Sequence, residues 1–162
     1  MYGLRFVWRD YDPQTMQYIE GWLDESAAAL TGLDDGFRDF YAYWKGESCN
    51  LPDNPFQCKV VFCNDEPVAV IALWLHDRKA TIMEVIVHPQ MRDAGVGTQL
   101  LKQLLHCEEI IGRPIDEYEA VIYPDNIASQ KAFEHAGFIY TSTHEDQDGI
   151  SMKYTYRKSD SK

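Results

Sequence analysis

A glycine-containing turn, Arg92-Asp93-Ala94-Gly95-Val96-Gly97, is the most informative part of this 162-residue chain. Glycine lets the main chain approach a diphosphate closely, because no Cβ atom stands in the way. A turn that opens a helix also presents unpaired N–H groups and the positive end of the helix dipole, which attract anions. Arg92 adds a cation. The turn therefore predicts a binding site for a phosphate-bearing ligand.

The flanking sequence predicts the elements that hold this turn. Thr81 to Val87 is apolar and largely β-branched and ends at His88-Pro89, so we expect a strand before the turn. Val96, Leu100 and Leu104 recur at helical spacing, so we expect a helix after it. The dinucleotide motif G-x-G-x-x-G is not met, because position 100 is leucine, and the Walker ending G-K-[S/T] is missing. Neither of those nucleotide-binding families fits.

Periodicity and turn residues predict further elements along the chain. The predicted strands cover residues 3–9, 57–63, 68–75, 80–87, 118–123, 138–143 and 150–156. The predicted helices cover residues 12–32, 34–45 with Gly46 as the stop, 96–107, and a segment opened by Asp125 or Asn126 and ended by Gly137 in a left-handed conformation.

Two blocks of the sequence resemble the GNAT superfamily of N-acetyltransferases. The first is V-x-P-x-x-R-x-x-G-x-G, whose glycine loop holds the coenzyme A (CoA) pyrophosphate in that family and which here spans residues 87–97. The second, from Asn126 to Phe138, has an asparagine that opens a helix and a Gly-Phe pair that ends it. The resemblance covers roughly residues 56–156. It implies an α/β (α+β) fold with a mixed, largely antiparallel sheet flanked by helices.

The resemblance also implies acetyl-CoA as the acyl donor and assigns residues to its site. These are Val85, Ile86, Val87, Arg92, Asp93, Ala94, Gly95, Val96, Gly97, Thr98, Asn126, Ser129 and Phe133. A bulge or splay at Val85–Val87 is expected to free backbone N–H groups for the acyl carbonyl. Lys102, Lys131 and His88 are candidates for additional positive charge near the site. Helix capping alone is an alternative role for Asn126.

Glu84 is the one carboxylate in its predicted strand and is the candidate general base. Strand alternation places it on the face opposite Met83 and Val85. In a desolvated cleft its pKa would rise toward a useful range, and it could accept a proton from an amine. The alternatives are a carboxylate on the wet face of the sheet or one paired with Arg78 or Lys79.

The general acid is less evident. Many family members carry a thiolate-protonating tyrosine where this chain has Phe133, which has no proton to donate. Tyr140 and Tyr123 are substitutes by their proximity in sequence, with a core or rim aromatic as the alternative role of each. The thiolate could also leave unassisted and take its proton from solvent.

Composition limits the classes of partner. The formal net charge of −11, from 15 basic and 26 acidic residues, argues against nucleic acid and anionic membranes. The four cysteines and five histidines show no metal-ligand spacing, so we expect no metal. The sequence shows no signal peptide and no span of about 18 apolar residues, so we expect a cytoplasmic protein with free thiols. Residues 1–162 suit one domain, with a helical acceptor-side region at 10–46 and an acyl-CoA-binding core at 80–138.

The expected reaction is direct attack on acetyl-CoA by a primary amine of a small molecule or peptide. Acidic and aromatic residues alternate between Glu20 and Trp44, which would suit a cationic amine, although such a stripe is more often core. Family members often form homodimers, so a homodimer is a further expectation. The rival hypotheses are a non-catalytic acyl-CoA-binding or sensing module with the same fold, and an interaction domain that does not bind CoA.

Overall fold

Seven strands form one sheet in the order β1-β2-β3-β4-β5-β7-β6 in the computed structural model, which describes residues 5–14, 17–23, 33, 36–92 and 94–158. The strands are β1 (Val7–Asp10), β2 (Phe56–Cys63), β3 (Glu66–His76), β4 (Lys79–Val87), β5 (Glu117–Ile122), β6 (Ile139–Asp146) and β7 (Gly149–Arg157). The α-helices are α1 (Phe37–Cys49), α2 (Val96–His106), α3 (Glu108–Ile111) and α4 (Ile127–His135). Short 3-10 helices lie at Gln17–Trp22, here called the N-terminal 3-10 helix, and at Pro89–Met91.

All neighbouring strands pair antiparallel except β4 and β5, which run parallel. This exception follows from the connection, since the chain leaves β4 through the glycine turn and returns through α2 and α3. The predicted fold, a mixed and largely antiparallel sheet flanked by helices, is confirmed.

Two hydrophobic clusters cover the two faces of the sheet. On one face α2 contributes Leu100, Leu101, Leu104 and Leu105, which are 0–1% exposed and share a cluster with Ile71 of β3. The other cluster contains residues of α1, the N-terminal 3-10 helix, β3 and β4: Ile19, Phe37, Val70, Ala72 and Ile86. Because side chains alternate along β3, this strand contributes residues to the clusters on both faces of the sheet.

The first α-helix differs from its prediction. It begins at Phe37 and continues through Gly46 to Cys49, so the prediction that Gly46 ends the helix is wrong. The end of the helix is fixed beyond Gly46 by the buried Ser48. The Ser48 hydroxyl accepts a hydrogen bond from the Phe56 N–H at 3.0 Å and donates one to Asn54 Oδ1 at 2.6 Å. These tertiary hydrogen bonds outweigh the modest cost of an interior glycine.

The N-terminal 3-10 helix caps α1. The Glu20 carboxylate accepts the N–H of Phe37 at 3.0 Å and also that of Arg38, so a side chain outside the helix supplies the acceptors that its first turn needs. Gly36 has φ 92°, and a Cβ there would lie 2.8 Å from Glu20 Oε2. Much of the predicted helix at 12–32 falls outside the described residues, as do Asp34 and Asp35.

Candidate functional site

The parallel strands β4 and β5 separate partway along the sheet. Their pairing covers Lys79–Ile82 and Glu117–Ala120 and then stops, although β4 continues to Val87. A cavity of about 220 Å³ opens where they part, between the two strands and the start of α4. We call it the splay cavity. Its walls include Glu84, Val85, Tyr123, Asn126, Ser129 and Phe133.

A β-bulge lies at the bottom of this cavity. On β3, Ala72 pairs with Glu84 and the adjacent Leu73 pairs with Ile82, so Met83 is an extra residue on β4. A bulge or splay was expected at Val85–Val87. The bulge lies at Met83, whereas the splay, where β5 no longer pairs with β4, includes Val85–Val87. The bulge also corrects the predicted alternation, because Met83 packs against the cluster that contains Ala72 and so lies on the same face as Glu84.

The backbone beyond the bulge presents N–H groups to the gap. His88 donates its N–H to the Val68 carbonyl at 2.8 Å, which directs the N–H of Ile86 toward β3 as well. Alternation then turns the N–H groups of Val85 and Val87 toward the space that β5 has left. Ile86 is not among the residues that line the gap, since its side chain is 3% exposed and packs in the cluster that contains Val70 and Ala72.

The glycine turn forms the N-terminus of α2. Gly95 is the N-cap residue with φ 77°, and among the described residues no side-chain hydrogen bond caps this helix. The N–H groups of the first turn, from Val96 to Thr98, are therefore available to a ligand. A Cβ at Gly97 would lie 3.7 Å from the Ala132 Cβ and 4.0 Å from Val87 Cγ2, which is ordinary contact with two walls of a second cavity.

This second cavity, of about 540 Å³, lies between the glycine turn, the end of β4 and α4. We call it the turn cavity. It shares Val85, Ser129 and Phe133 with the splay cavity. The two cavities therefore form one groove that leads from the glycine turn to Glu84.

Of the predicted binding residues in the glycine turn, Arg92 lines the turn cavity and Ala94 does not. The Arg92 guanidinium donates to the backbone carbonyls of Val87 at 3.2 Å and Trp22 at 2.5 Å. The Ala94 N–H donates to the Met91 carbonyl at 3.4 Å. Asp93 lies outside the described residues.

The second sequence block forms the opposite wall of the groove. Asn126 caps α4, since its Oδ1 accepts the Ser129 N–H at 3.2 Å, and it also lines the splay cavity. Phe133 is 4% exposed and packs edge-on against Phe138 with ring centroids 4.8 Å apart. As predicted, Gly137 follows the helix with a left-handed φ of 108°.

Glu84 is a half-buried carboxyl group in an apolar setting. No salt bridge to it is present among the described residues, because Arg78 pairs with Asp116 at 2.5 Å and Lys79 with Glu119 at 2.6 Å. The alternative of a Glu84 pair with Arg78 or Lys79 is therefore wrong. Burial raises the pKa of Glu84 from 4.5 to about 8. Near neutral pH this group can take up and release a proton, as a general base must.

The two candidate tyrosines lie in different places. Tyr123 follows β5, is 42% exposed and lines the splay cavity together with Glu84. Tyr140 lies on β6, where its hydroxyl contacts Thr143 and its ring packs 5.9 Å from that of Tyr154. Tyr140 lines neither cavity, so the structure brings only Tyr123 to the site.

The sequence model of the acetyltransferase (GNAT) family matches residues 9–138. The chain belongs to this family. No curated protein matches the sequence significantly. The GNAT fold is shared by many solved structures at low sequence identity.

Three structural relatives of this GNAT chain illustrate the range of the fold. Aminoglycoside acetyltransferase AAC(6')-Ib in complex with coenzyme A is 16% identical with a TM-score of 0.73, over 96% of both chains. A spermidine N-acetyltransferase SpeG chimera from Vibrio cholerae and hSSAT is 13% identical with a TM-score of 0.76, over 96% of both. An acetyltransferase from Salmonella typhimurium that modifies the N-terminal serine of ribosomal protein L7/L12 is 14% identical with a TM-score of 0.75, over 94% of both. Their acceptors differ, so the shared fold does not select an acceptor.

Several groove residues of this GNAT chain were not predicted from its sequence. On α4, Ala128, Lys131, Ala132 and His135 face the turn cavity. Their spacing of three and four residues places them on one side of the helix and could have identified them. Of these four residues, Lys131 is the one that the sequence predicted as a source of positive charge. The other two candidates for that charge, Lys102 and His88, do not line the groove. The further lining residues of the groove are Ile82, Met83, Met91, Leu101, Ala120, Val121 and Ile122.

Two further findings concern the described part of this GNAT chain. It contains no group of three or more histidine, cysteine, aspartate or glutamate residues that could hold a metal ion. None of the helices in those same ranges is long and apolar enough to cross a membrane.

The raised pKa of Glu84 predicts a pH-dependent difference in stability between the wild type and Glu84→Gln. From pH 4.5 to about 8 the native carboxyl keeps a proton that the unfolded chain has released. The free energy of unfolding of the wild type, relative to the variant, should therefore fall by up to about 1.4 kcal/mol per pH unit in this window. Urea unfolding of both proteins at pH 5, 7 and 9 measures the difference. A constant difference across this range would mean that the carboxylate is well solvated in the native state.

Proposed function

We propose that the protein transfers the acetyl group of acetyl-CoA to a primary amine of a small molecule or peptide. The observation that carries this proposal is the single groove that joins the glycine turn to Glu84 through Val85, Ser129 and Phe133. A phosphate site at one end and a carboxyl group with a pKa of about 8 at the other suit a thioester donor and an amine acceptor.

The residues of the turn cavity fit the diphosphate end of acetyl-CoA. The N–H groups from Val96 to Thr98 can donate hydrogen bonds to its phosphate oxygens, and Lys131 and His135 lie on the facing wall. Gly97 leaves open the space that a side chain would fill. The N–H groups of Val85, which lines both cavities, and of Val87, which lines the turn cavity, supply donors for the pantetheine arm and the acyl carbonyl.

Acetyl-CoA supplies an activated acetyl thioester and a thiolate leaving group. Glu84 accepts the proton that the amine loses as its nitrogen bonds to the carbonyl carbon. We propose that the N–H of Val85 stabilises the developing oxyanion, because strand alternation turns it toward the gap rather than toward β3. The carbon–sulfur bond then breaks, and the thiolate takes a proton. The reaction needs no nucleophile from the protein.

The acceptor is proposed to enter from the face that carries Glu84. α1 and the N-terminal 3-10 helix cover this face over β2–β4, within the helical region proposed from the sequence at residues 10–46. The acyl-CoA side is the region 80–138. A cationic acceptor stays a prediction, because the Glu20 carboxylate caps α1, and Asp24, Glu25 and two further acids lie outside the described residues.

Tyr123 is proposed as the proton donor to the thiolate, since Phe133 has no proton and Tyr140 is outside the groove. Tyr123→Phe should lower kcat by about tenfold, a small effect for a general acid because a thiolate leaves readily. Phe133→Tyr in the Tyr123→Phe background should restore part of this loss. Steady-state CoA release measures both variants. An unchanged kcat in Tyr123→Phe would assign the proton to solvent.

A calorimetric titration with acetyl-CoA, followed by a screen of amines for CoA release, tests the proposed function. Binding together with amine-dependent release supports the transferase. Phe133 favours one second candidate, a CoA-binding module without turnover, because it replaces the usual proton donor. That candidate predicts binding without release for every amine class, even with Phe133→Tyr. The absence of binding would exclude both.

A further inference from the structure

Arg92 holds two backbone carbonyl groups that belong to distant parts of the chain. Its Nε donates to the Val87 carbonyl at 3.2 Å, and its Nη2 donates to the Trp22 carbonyl at 2.5 Å. Val87 ends β4, and Trp22 ends the N-terminal 3-10 helix. A guanidinium presents its donors in one rigid plane, so this single side chain fixes the two carbonyls relative to each other.

The Trp22 end of this contact is buried. Its side chain is 5% exposed, and its indole stands edge-on to the His88 imidazole with ring centroids 5.1 Å apart. His88 is itself held by its N–H bond to the Val68 carbonyl. Arg92 therefore joins two ordered segments, and a shift of the glycine turn must move the 3-10 helix with it or break a hydrogen bond.

The contacts continue from the 3-10 helix to α1. The Glu20 carboxylate accepts the first two backbone N–H groups of α1. A continuous series therefore runs from Arg92 through Trp22 and Glu20 to α1, which packs on the face of the sheet that carries Glu84. We call the N-terminal 3-10 helix together with α1 the acceptor-side wall.

We propose that Arg92 is a positioning residue that couples the glycine turn to the acceptor-side wall. The coupling rests on the proposed function, since it takes the turn as the CoA site. Its consequence is that CoA binding orders the wall that receives the amine.

Hydrogen exchange of the amides in residues 17–23 tests this coupling in the wild type, Arg92→Lys and Arg92→Ala. Lysine keeps the charge but cannot hold both carbonyls in one plane. Without ligand, both variants should exchange these amides about tenfold faster than the wild type. Saturating coenzyme A should slow exchange at 17–23 and at 96–99 in the wild type, but only at 96–99 in the variants.

Lys131→Ala is the matched control, because it removes a cation from the turn cavity without touching the acceptor-side wall. It should weaken CoA binding and leave ligand-free exchange at 17–23 unchanged. The proposal is overturned if Arg92→Lys behaves as the wild type, or if CoA gives the wild type no protection at 17–23. If the wild type does not bind CoA, the proposed function fails, while the ligand-free comparison still decides whether Arg92 holds the wall.

Discussion

Glu84→Gln is expected to lower kcat/KM by about 10²- to 10⁴-fold, the usual contribution of a general base. Glutamine keeps the size and the hydrogen-bonding shape of the protonated carboxyl group but cannot accept the amine proton. The acceptor found in the amine screen serves as substrate. Because Glu84 lies on the bulged segment of β4 that lines the splay cavity, the loss should fall on chemistry, with acetyl-CoA affinity nearly unchanged.

The pH profile separates a base from a merely structural carboxylate. Only the ionised form of Glu84 accepts a proton, so the rate of the wild type should rise with pH and level off above about 8. Glu84→Gln should lack this ascending limb. Glu109→Gln, an exposed carboxylate on α3 outside the groove, is the matched control and should keep both rate and profile. A variant at position 84 that retains the ascending limb would show that another group is the base.

Gly97→Trp is expected to weaken acetyl-CoA binding by at least about 100-fold, equivalent to about 2.8 kcal/mol. The side chain would start between Val87 and Ala132 and project into the turn cavity. The protein itself leaves room for the Cβ, since both contacts are ordinary van der Waals distances. The fold should therefore survive, and calorimetric titration should show the loss directly.

Two other glycines provide the controls for this result. Gly46→Trp adds the same bulk on the exposed surface of α1, where nothing lies within 4 Å of the new Cβ, and should leave binding unchanged. In Gly95→Ala the new Cβ also has no neighbour within 4 Å, but the φ of 77° is strained for alanine. This variant should therefore lower the free energy of unfolding by about 1 kcal/mol. Wild-type affinity in a folded Gly97→Trp protein would place the CoA site elsewhere.

The amino-acid sequence determined the fold family and predicted where the proposed donor site lies. Glycine spacing at 95 and 97, a strand ended by Pro89 and a helix opened by Asn126 are local signals, because each depends on the conformational limits of one residue or on a short period. The strands were predicted well for the same reason, with bounds close to those observed for β2–β5 and β7.

The tertiary structure decided which groups meet at the site. The bulge at Met83 arises from pairing with β3. It is the reason that Glu84 and the adjacent Met83 lie on the same face of the sheet. Tyr123 and Tyr140 look alike in sequence, and only the order β5-β7-β6 puts the first in the groove and the second outside it. Arg92 acquires its partner at Trp22 across 70 residues. Register, strand order and long-range hydrogen bonds depend on contacts between distant segments, and no local pattern of residues specifies them.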